Sequence, residues 1–186
     1  MADKTNVSTG KPKVGGAVFV APVGTTLPTD ATTALDKAFV GLGYVSEDGL
    51  KNAGDWEDNA FKAWGGDKVL EEAYRSSDTF SFTLIEVLSA DTLKLVYGDS
   101  NVTGSLASGI TVKANSQSQT EHSLVFDMIM RDGAVKRIVV PSAVVTEVGD
   151  ITYADSDLVG YETTASASVD ASGNSHYEYI KRPATA

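Results

Sequence analysis

Between Val159 and Val169 the chain alternates without a break: Val159, Tyr161, Thr163, Ala165, Ala167 and Val169 share one parity, and Gly160, Glu162, Thr164, Ser166 and Ser168 share the other. A period of two places successive side chains on opposite faces of an extended backbone and cannot sit as a helix. The same period recurs at Thr79–Leu84, where Phe80, Phe82 and Leu84 oppose Thr79, Ser81 and Thr83. At Leu124–Met130, apolar residues on both parities predict a strand covered on both faces. "RDGAV" at Arg131–Val135 is a hairpin turn signal leading to a return strand Val135–Val140 that ends before Pro141. Further strands are predicted at Val14–Ala21, Phe39–Ser46, Val144–Val148 and Ser175–Ile180. Val40, Leu42 and Tyr44 share a face of the second of these, and "DASGN" (Asp170–Asn174) turns the chain into the last.

Helical signals are few. "TDATTALDKA" at Thr29–Ala38 predicts a helical turn capped by Thr29 or Asp30. The stronger case is 89–98: Ser89 is a good N-cap, Asp91 favours the first turn, Leu93 and Val96 lie three apart, and Gly98 supplies a stop. A helix this short needs a sheet to lie on. The predicted fold is mainly β: a β-sandwich or distorted barrel over 14–180 with one flanking α-helix, in which Leu93 and Val96 make the helix–sheet packing. Polar segments 1–13 and 181–186 read as a flexible N-terminal arm and a C-terminal arm. Glu47–Asn59, "EDGLKNAGDWEDN", reads as a long loop, and ordered loops of that length usually have a task. Ala60–Trp64 and Lys68–Tyr74 flank a Gly65–Gly66 turn, with Glu71 and Glu72 in mid-strand leaving open which face is buried.

With 186 residues, one substantial core is possible. There is no cysteine, so neither a disulfide nor a thiolate contributes. The longest uncharged run, Val14–Thr29, is too short and too interrupted by Gly and Pro to span a membrane, so no membrane insertion is expected. The formal net charge of −10 has the wrong sign for a nucleic-acid binder, and the pairs Lys136–Arg137 and Lys181–Arg182 stand alone.

Searches for chemistry fail one after another. His122 and His176 have no ligand partner at helical spacing. "DSDLVG" at Asp155–Gly160 starts like a calcium loop, but Val159 falls on the fifth ligand position. "GDSNV" at Gly98–Val102 lacks the second glycine of a nucleophile elbow, and "STGKP" at Ser8–Pro12 lacks the first glycine of a phosphate loop. Glu71–Glu72 and Asp55–Asp58 read as hydrated surface, and Trp56 and Trp64 as core or subunit contacts. No enzyme, cofactor or metal is expected.

The succession "GAVFVAPVGTTLPTDATTALDKAFVGLGYVSEDGL", "KAWGGDKV", "DTFSFTLIEVLSADTLKLVYGD" and "VVTEVGDITYADSDLVGYETTASASVDASGNSHYEYI" resembles the major tail proteins of long-tailed bacteriophages, those of actinobacterial phages in particular. The resemblance runs over roughly residues 15–180. It implies a tube protein whose fold is related to the tube of type VI secretion systems. It also implies that copies of the chain form hexameric rings stacked into a hollow tube, through which phage DNA passes without specific binding. The implied partners are a tape-measure protein, a tail terminator and baseplate or tail-tip proteins, and the implied location is the virion tail after synthesis in host cytoplasm. A single-ring terminator or head–tail completion protein and a capsid decoration module are the alternatives. The long loop that family members use in stacking corresponds to Glu47, Asp48, Leu50, Trp56 and Asn59 with their neighbours. Acidic lumen lining is expected, with Glu162 and Glu178 as candidates.

Overall fold

A computed structural model describes residues 2–13 and 16–182. Its frame is one antiparallel sheet of nine strands. The strands are β1 (Lys11–Pro12), β2 (Val18–Pro22), β3 (Val40–Gly41), β4 (Val45–Ala53) and then, after an inserted hairpin of β5 (Trp56–Lys62) and β6 (Lys68–Arg75), β7 (Thr79–Leu84). Helix α1 (Ala90–Tyr97) and a small hairpin of β8 (Val102–Ser105) and β9 (Gly109–Val112) precede β10 (His122–Ile129), β11 (Val135–Val148), β12 (Tyr161–Ser168) and β13 (Tyr177–Lys181). The main order is β3-β2-β10-β11-β12-β7-β4, with β1 added to β10 and β13 to β11.

The sheet rolls over on itself. β10 and β7 are separated by two strands in that order, yet Phe126 of β10 meets Phe80 and Phe82 of β7 with ring centroids 5.5 Å apart in each pair. Leu84, Leu124, Ile138, Val140, Tyr161 and Ala165 fill the rest of the enclosed space. This is the mainly β, sandwich-like fold with one helix that the alternation predicts.

Helix α1 closes this core. Ser89 accepts from the Thr92 amide, and Gly98 (φ 94°) ends the helix with its N–H bonded to the Lys94 carbonyl. Leu93, Leu95 and Val96 are buried against the sheet, and the Tyr97 ring meets Tyr161 edge-on at 6.0 Å. Burial pushes the Tyr161 phenol up to about 12, with the nearby Tyr97 and Tyr153 rings adding to the shift. Each fully buried aliphatic side chain contributes about 1.5–3 kcal/mol, which offsets the poor intrinsic stability of eight helical residues.

The reverse face of β10 and β11 is also buried, as the two-parity pattern predicts, and at its centre stands an ion pair. Arg137 donates from Nε to Asp127 Oδ1 at 2.6 Å and from Nη2 to Oδ2 at 2.8 Å, with both side chains buried. Its remaining Nη1 donates to the Asp30 and Thr33 carbonyls at 3.2 and 2.7 Å. This explains why Thr29–Ala38 is not a helical turn. The carbonyls that would carry a helix onward are taken by the guanidinium, while the Asp30 carboxylate captures the Thr32 and Thr33 amides, each at 2.6 Å. Those bonds from Thr33 and Thr32 hold the Asp30 carboxyl far below the usual carboxylate range. Residues 23–39 thus form a strap across the outside of the sheet.

Other sequence expectations are corrected. Pro141 does not end a strand: β11 runs through it because Ser123 faces an extra residue at a bulge, where no ladder amide is needed, and Ser123 Oγ donates to the Pro141 carbonyl at 2.7 Å. The bulge also resets parity, so Ile138 and Val140 before it and Ala143 and Val145 after it all face the core. Phe39–Ser46 is not one strand: Gly43 (φ 78°) breaks it, leaving Leu42 buried while Tyr44 is exposed. The predicted Val14–Ala21 strand appears as Val18–Pro22; Val14 and Gly15 lie outside the described residues, as do Met1 and residues 183–186 of the two arms. The N-terminal arm, expected to be flexible, lies docked over residues 2–13. β1 pairs with Met128 and Ile129, Arg131 N donates to Ser8 Oγ at 2.7 Å, and Arg182 donates to the Thr5 carbonyl.

Replacing Arg137 by Met leaves the buried Asp127 carboxylate with only the Lys13 ammonium, 3.3 Å from Oδ2, and leaves two strap carbonyls without their donor. It should cost about 3–5 kcal/mol, or roughly 6–20 °C in melting temperature for a chain of this length, followed by circular dichroism. The double change Asp127→Leu with Arg137→Met should recover most of the loss. A single variant melting within about 2 °C of the parent would contradict this role. Leu93→Asp inserts a charge between helix and sheet, and no soluble folded protein is expected; an unchanged melting curve would exclude the packing described for α1.

Candidate functional site

Because β4 pairs with β7 up to Ala53↔Thr79, the chain leaves the sheet there and returns only at Thr79. Everything between is the β5–β6 hairpin. Its register runs from Trp56↔Arg75 to Phe61↔Leu70, and every residue of both strands is exposed. The unresolved choice of a buried face for Lys68–Tyr74 has a simple outcome: neither is buried. Trp56, Phe61, Trp64, Val69, Leu70 and Tyr74 all stand in solvent. Directly paired residues share a face, so one side carries Glu57 with Tyr74, Asn59 with Glu72, and Phe61 with Leu70. Tyr74 OH donates to Glu57 Oε2 at 3.0 Å.

The expected loop at 47–59 is therefore corrected. Glu47, Asp48 and Leu50 belong to edge strand β4, where Gly49 (φ 71°) absorbs a register shift and Leu50 packs partly on the core opposite Phe82. Trp56 and Asn59 belong to the hairpin. A stretch exposed on both faces has no reason to alternate, so its strand character is invisible to periodicity.

What fixes the hairpin to the body is a cluster the sequence search passed over. Asp78 is buried just beyond the hairpin. Its Oδ1 accepts from Arg75 Nη2 and Asn52 Nδ2, both at 2.7 Å, and its Oδ2 meets Ser175 Oγ and His176 Nδ1, both at 2.5 Å. One carboxylate thereby joins β4, the end of β6 and the turn before β13. Ser77 donates to Asp55 Oδ2 at 2.7 Å, and the Ser76 amide to the Asp55 carbonyl at 2.8 Å, closing the root. Burial pushes the Asp78 carboxyl up, but hydrogen bonds from Ser175, Asn52 and His176 outweigh it and leave the group below its ordinary value. No local spacing links Asp78 to His176; only the β7–β12 pairing and the final turn bring them together.

A second surface is the outer face of β7 and β12. Thr79, Ser81 and Thr83 lie beside Ser166, Thr164 and Glu162, and Ser81 Oγ is 3.0 Å from Thr164 Oγ1. The strap does not reach this half of the sheet in any hydrogen bond found among the described residues, and the hydroxyl side chains keep partial exposure. Glu162 is exposed and shares a shallow depression with Asp48 and Lys51. Glu178 is elsewhere: it pairs with Ile138 on the core-side parity and is bound by Lys136 at 2.7 Å. The two carboxylates considered for one lining thus face opposite ways.

Among the described residues, no group of three or more His, Asp or Glu side chains has metal-binding geometry, and no helix is long and apolar enough to cross a membrane. Compared with known proteins, the chain matches the family model described as "Phage tail tube protein" over residues 11–186. No individual curated protein matches it.

The Asp78 cluster has a testable pH signature. Because the folded-state pKa is depressed below the unfolded value of about 3.9, the stability it contributes is present above that pH and is lost as pH falls through the folded value. Asp78→Asn should lower stability by about 1–3 kcal/mol at neutral pH and flatten the acid limb of the stability curve. Amides of the hairpin root, Asp55 to Ser76, should exchange faster in hydrogen–deuterium exchange. Equal exchange in the variant and the parent would detach Asp78 from hairpin anchoring.

Proposed function

The chain belongs to the phage tail tube protein family, a structural component of the virion tail, and on that premise we propose that it assembles with copies of itself into hexameric rings that stack as a hollow conduit for DNA. The observation that carries this reading is the β5–β6 hairpin. A two-stranded ribbon is marginal alone in water, and this one presents six large apolar side chains with no cover from its own chain among the described residues. A neighbouring subunit supplies that cover. The hydroxyl-rich face of β7 and β12, with Glu162 on it, suits the lumen. It offers no cationic stripe to hold a polymer bearing one charge per about 1.7 Å, and its short side chains leave a smooth wall. A subunit charge of −10 repels DNA that strays near the wall, within a screening length of about 8–10 Å. Helix α1 lies on the far side of the core from that face and belongs on the tube's exterior.

In the assembled tail the conduit would meet a tape-measure protein inside, a terminator at one end and tail-tip proteins at the other, after synthesis in the host cytoplasm. Electron microscopy of the purified chain at high concentration tests the reading. Long hollow tubes are expected. Single closed rings would point instead to a terminator-like part, and particles that stay solitary and fail to join authentic tails would refute self-assembly.

A further inference from the structure

The chain has no cysteine, so its readily oxidised sulfur lies in three methionines, and two of these, Met128 and Met130, stand together. Met128 belongs to β10 and Met130 follows it in extended backbone (φ −93°, ψ 178°), so the two thioethers project to the same face. Both side chains are half-buried, and the N-terminal arm lies over them. A β-carbon on Gly10 would sit 3.7 Å from each sulfur, so the arm backbone rests on both at a residue with no side chain of its own. β1 continues the contact, with Lys11 opposite Ile129 and Pro12 opposite Met128.

Around this seat the arm is held by a few directed bonds. The Arg131 amide donates to Ser8 Oγ at 2.7 Å, Arg182 to the Thr5 carbonyl at 3.3 Å, and the Lys13 amide to the Asp127 carbonyl at 3.2 Å. Residues 2–13 are all exposed, so the arm buries little area and sits at the low-stability end of the fold. Met128 also lines a cleft of about 190 Å³ beneath the arm, whose walls include Leu50, Phe82 and Phe126. The polar members of that cleft are Lys11, Ser46 and Glu47. Lys11 moves with the arm and the Glu47 carboxylate only accepts. The Ser46 hydroxyl, buried with no partner among the described residues, is thus the one fixed side-chain donor.

We propose that Met128 and Met130 form an oxidation-sensitive latch for the arm, each able to take one oxygen from a peroxide. The thioether sulfur attacks a peroxide oxygen with a lone pair, the O–O bond breaks, and the leaving hydroxide takes up a proton to become water. Sulfur loses an electron pair and the peroxide gains it. A sulfoxide oxygen is a strong acceptor that needs a donor or water. Two such oxygens have as neighbours one serine hydroxyl, a glycine methylene and a proline without an N–H. At least one of them is hydrated only when the arm lifts. The latch is a property of one subunit and needs no second copy.

Treating the intact chain with hydrogen peroxide, then mapping peptide masses and hydrogen–deuterium exchange, tests the latch. One added oxygen is expected at each of Met128 and Met130, and the Lys13 amide should then exchange about tenfold faster or more. Amides in the β10–β11 ladder should keep the parent's rate. Enzymatic reduction of both sulfoxide epimers should restore protection of Lys13. Met128→Leu with Met130→Leu nearly conserves volume, so the arm should stay docked and peroxide should no longer release it. Parent-like exchange of Lys13 in a chain carrying both sulfoxides overturns the inference. So does equal acceleration across the ladder, which would mean unfolding, or release of the arm from the leucine variant by peroxide. Sulfur atoms that peroxide fails to reach overturn it as well.

Discussion

The Arg137–Asp127 pair decides which half of the sheet is covered and which is left open. A guanidinium and a carboxylate lose most of their hydration on burial, and that cost is recovered only when every donor and lone pair finds a partner. Here two guanidinium nitrogens and the Lys13 ammonium meet Asp127, and the third guanidinium nitrogen reaches backbone carbonyls of the strap. The strap must therefore cross β10 and β11 at this point and nowhere else. With the reverse face of that half sealed, the β7–β12 half keeps its hydroxyl face free. An apolar centre in place of the ion pair would bury comparable area but would not dictate where residues 30–33 lie.

The same logic of directed polar contacts recurs at Asp78, with a different purpose. Its four partners come from three parts of the chain and meet at the base of a ribbon that has no core of its own. An apolar root would hold the ribbon but allow it to rotate. Hydrogen bonds to both carboxylate oxygens fix its direction as well as its attachment. Rigidity is thus concentrated at the root, and the tip is left to solvent.

How much of this was legible depends on whether the cause is local. The strands of the core announce themselves because one side of each is buried, and α1 because Ser89 and Gly98 mark its ends within ten residues. The Arg131–Val135 turn is likewise local: Asp132 and Gly133 both take positive φ, as a tight hairpin demands. Pro141 misled because a bulge, not a strand end, removes the need for its amide. That bulge is set by the opposing strand. Residues 56–75 show no period because they have no buried side, whereas the polar stretch from Glu47 reads as a loop because it is an edge strand whose alternation is interrupted by the register shift at Gly49. Arg137 sat in an isolated basic pair with nothing to reveal that its fork points inward, and Asp78 lies 98 residues from His176. Of the candidate residues, Leu93 and Val96 were readable from helical spacing, whereas Glu162 and Glu178 looked equivalent until pairing placed them on opposite faces.

The net charge of −10 and the bare apolar side chains of the hairpin pull in opposite directions. Like charges repel over about a screening length, whereas apolar side chains gain only on contact. Under the self-assembly proposed above, burial of side chains such as Trp56, Phe61 and Leu70 has to outweigh that repulsion. An apolar ribbon held on a rigid polar root meets this requirement, because the apolar area is concentrated on one projection while the carboxylates are spread over the whole chain.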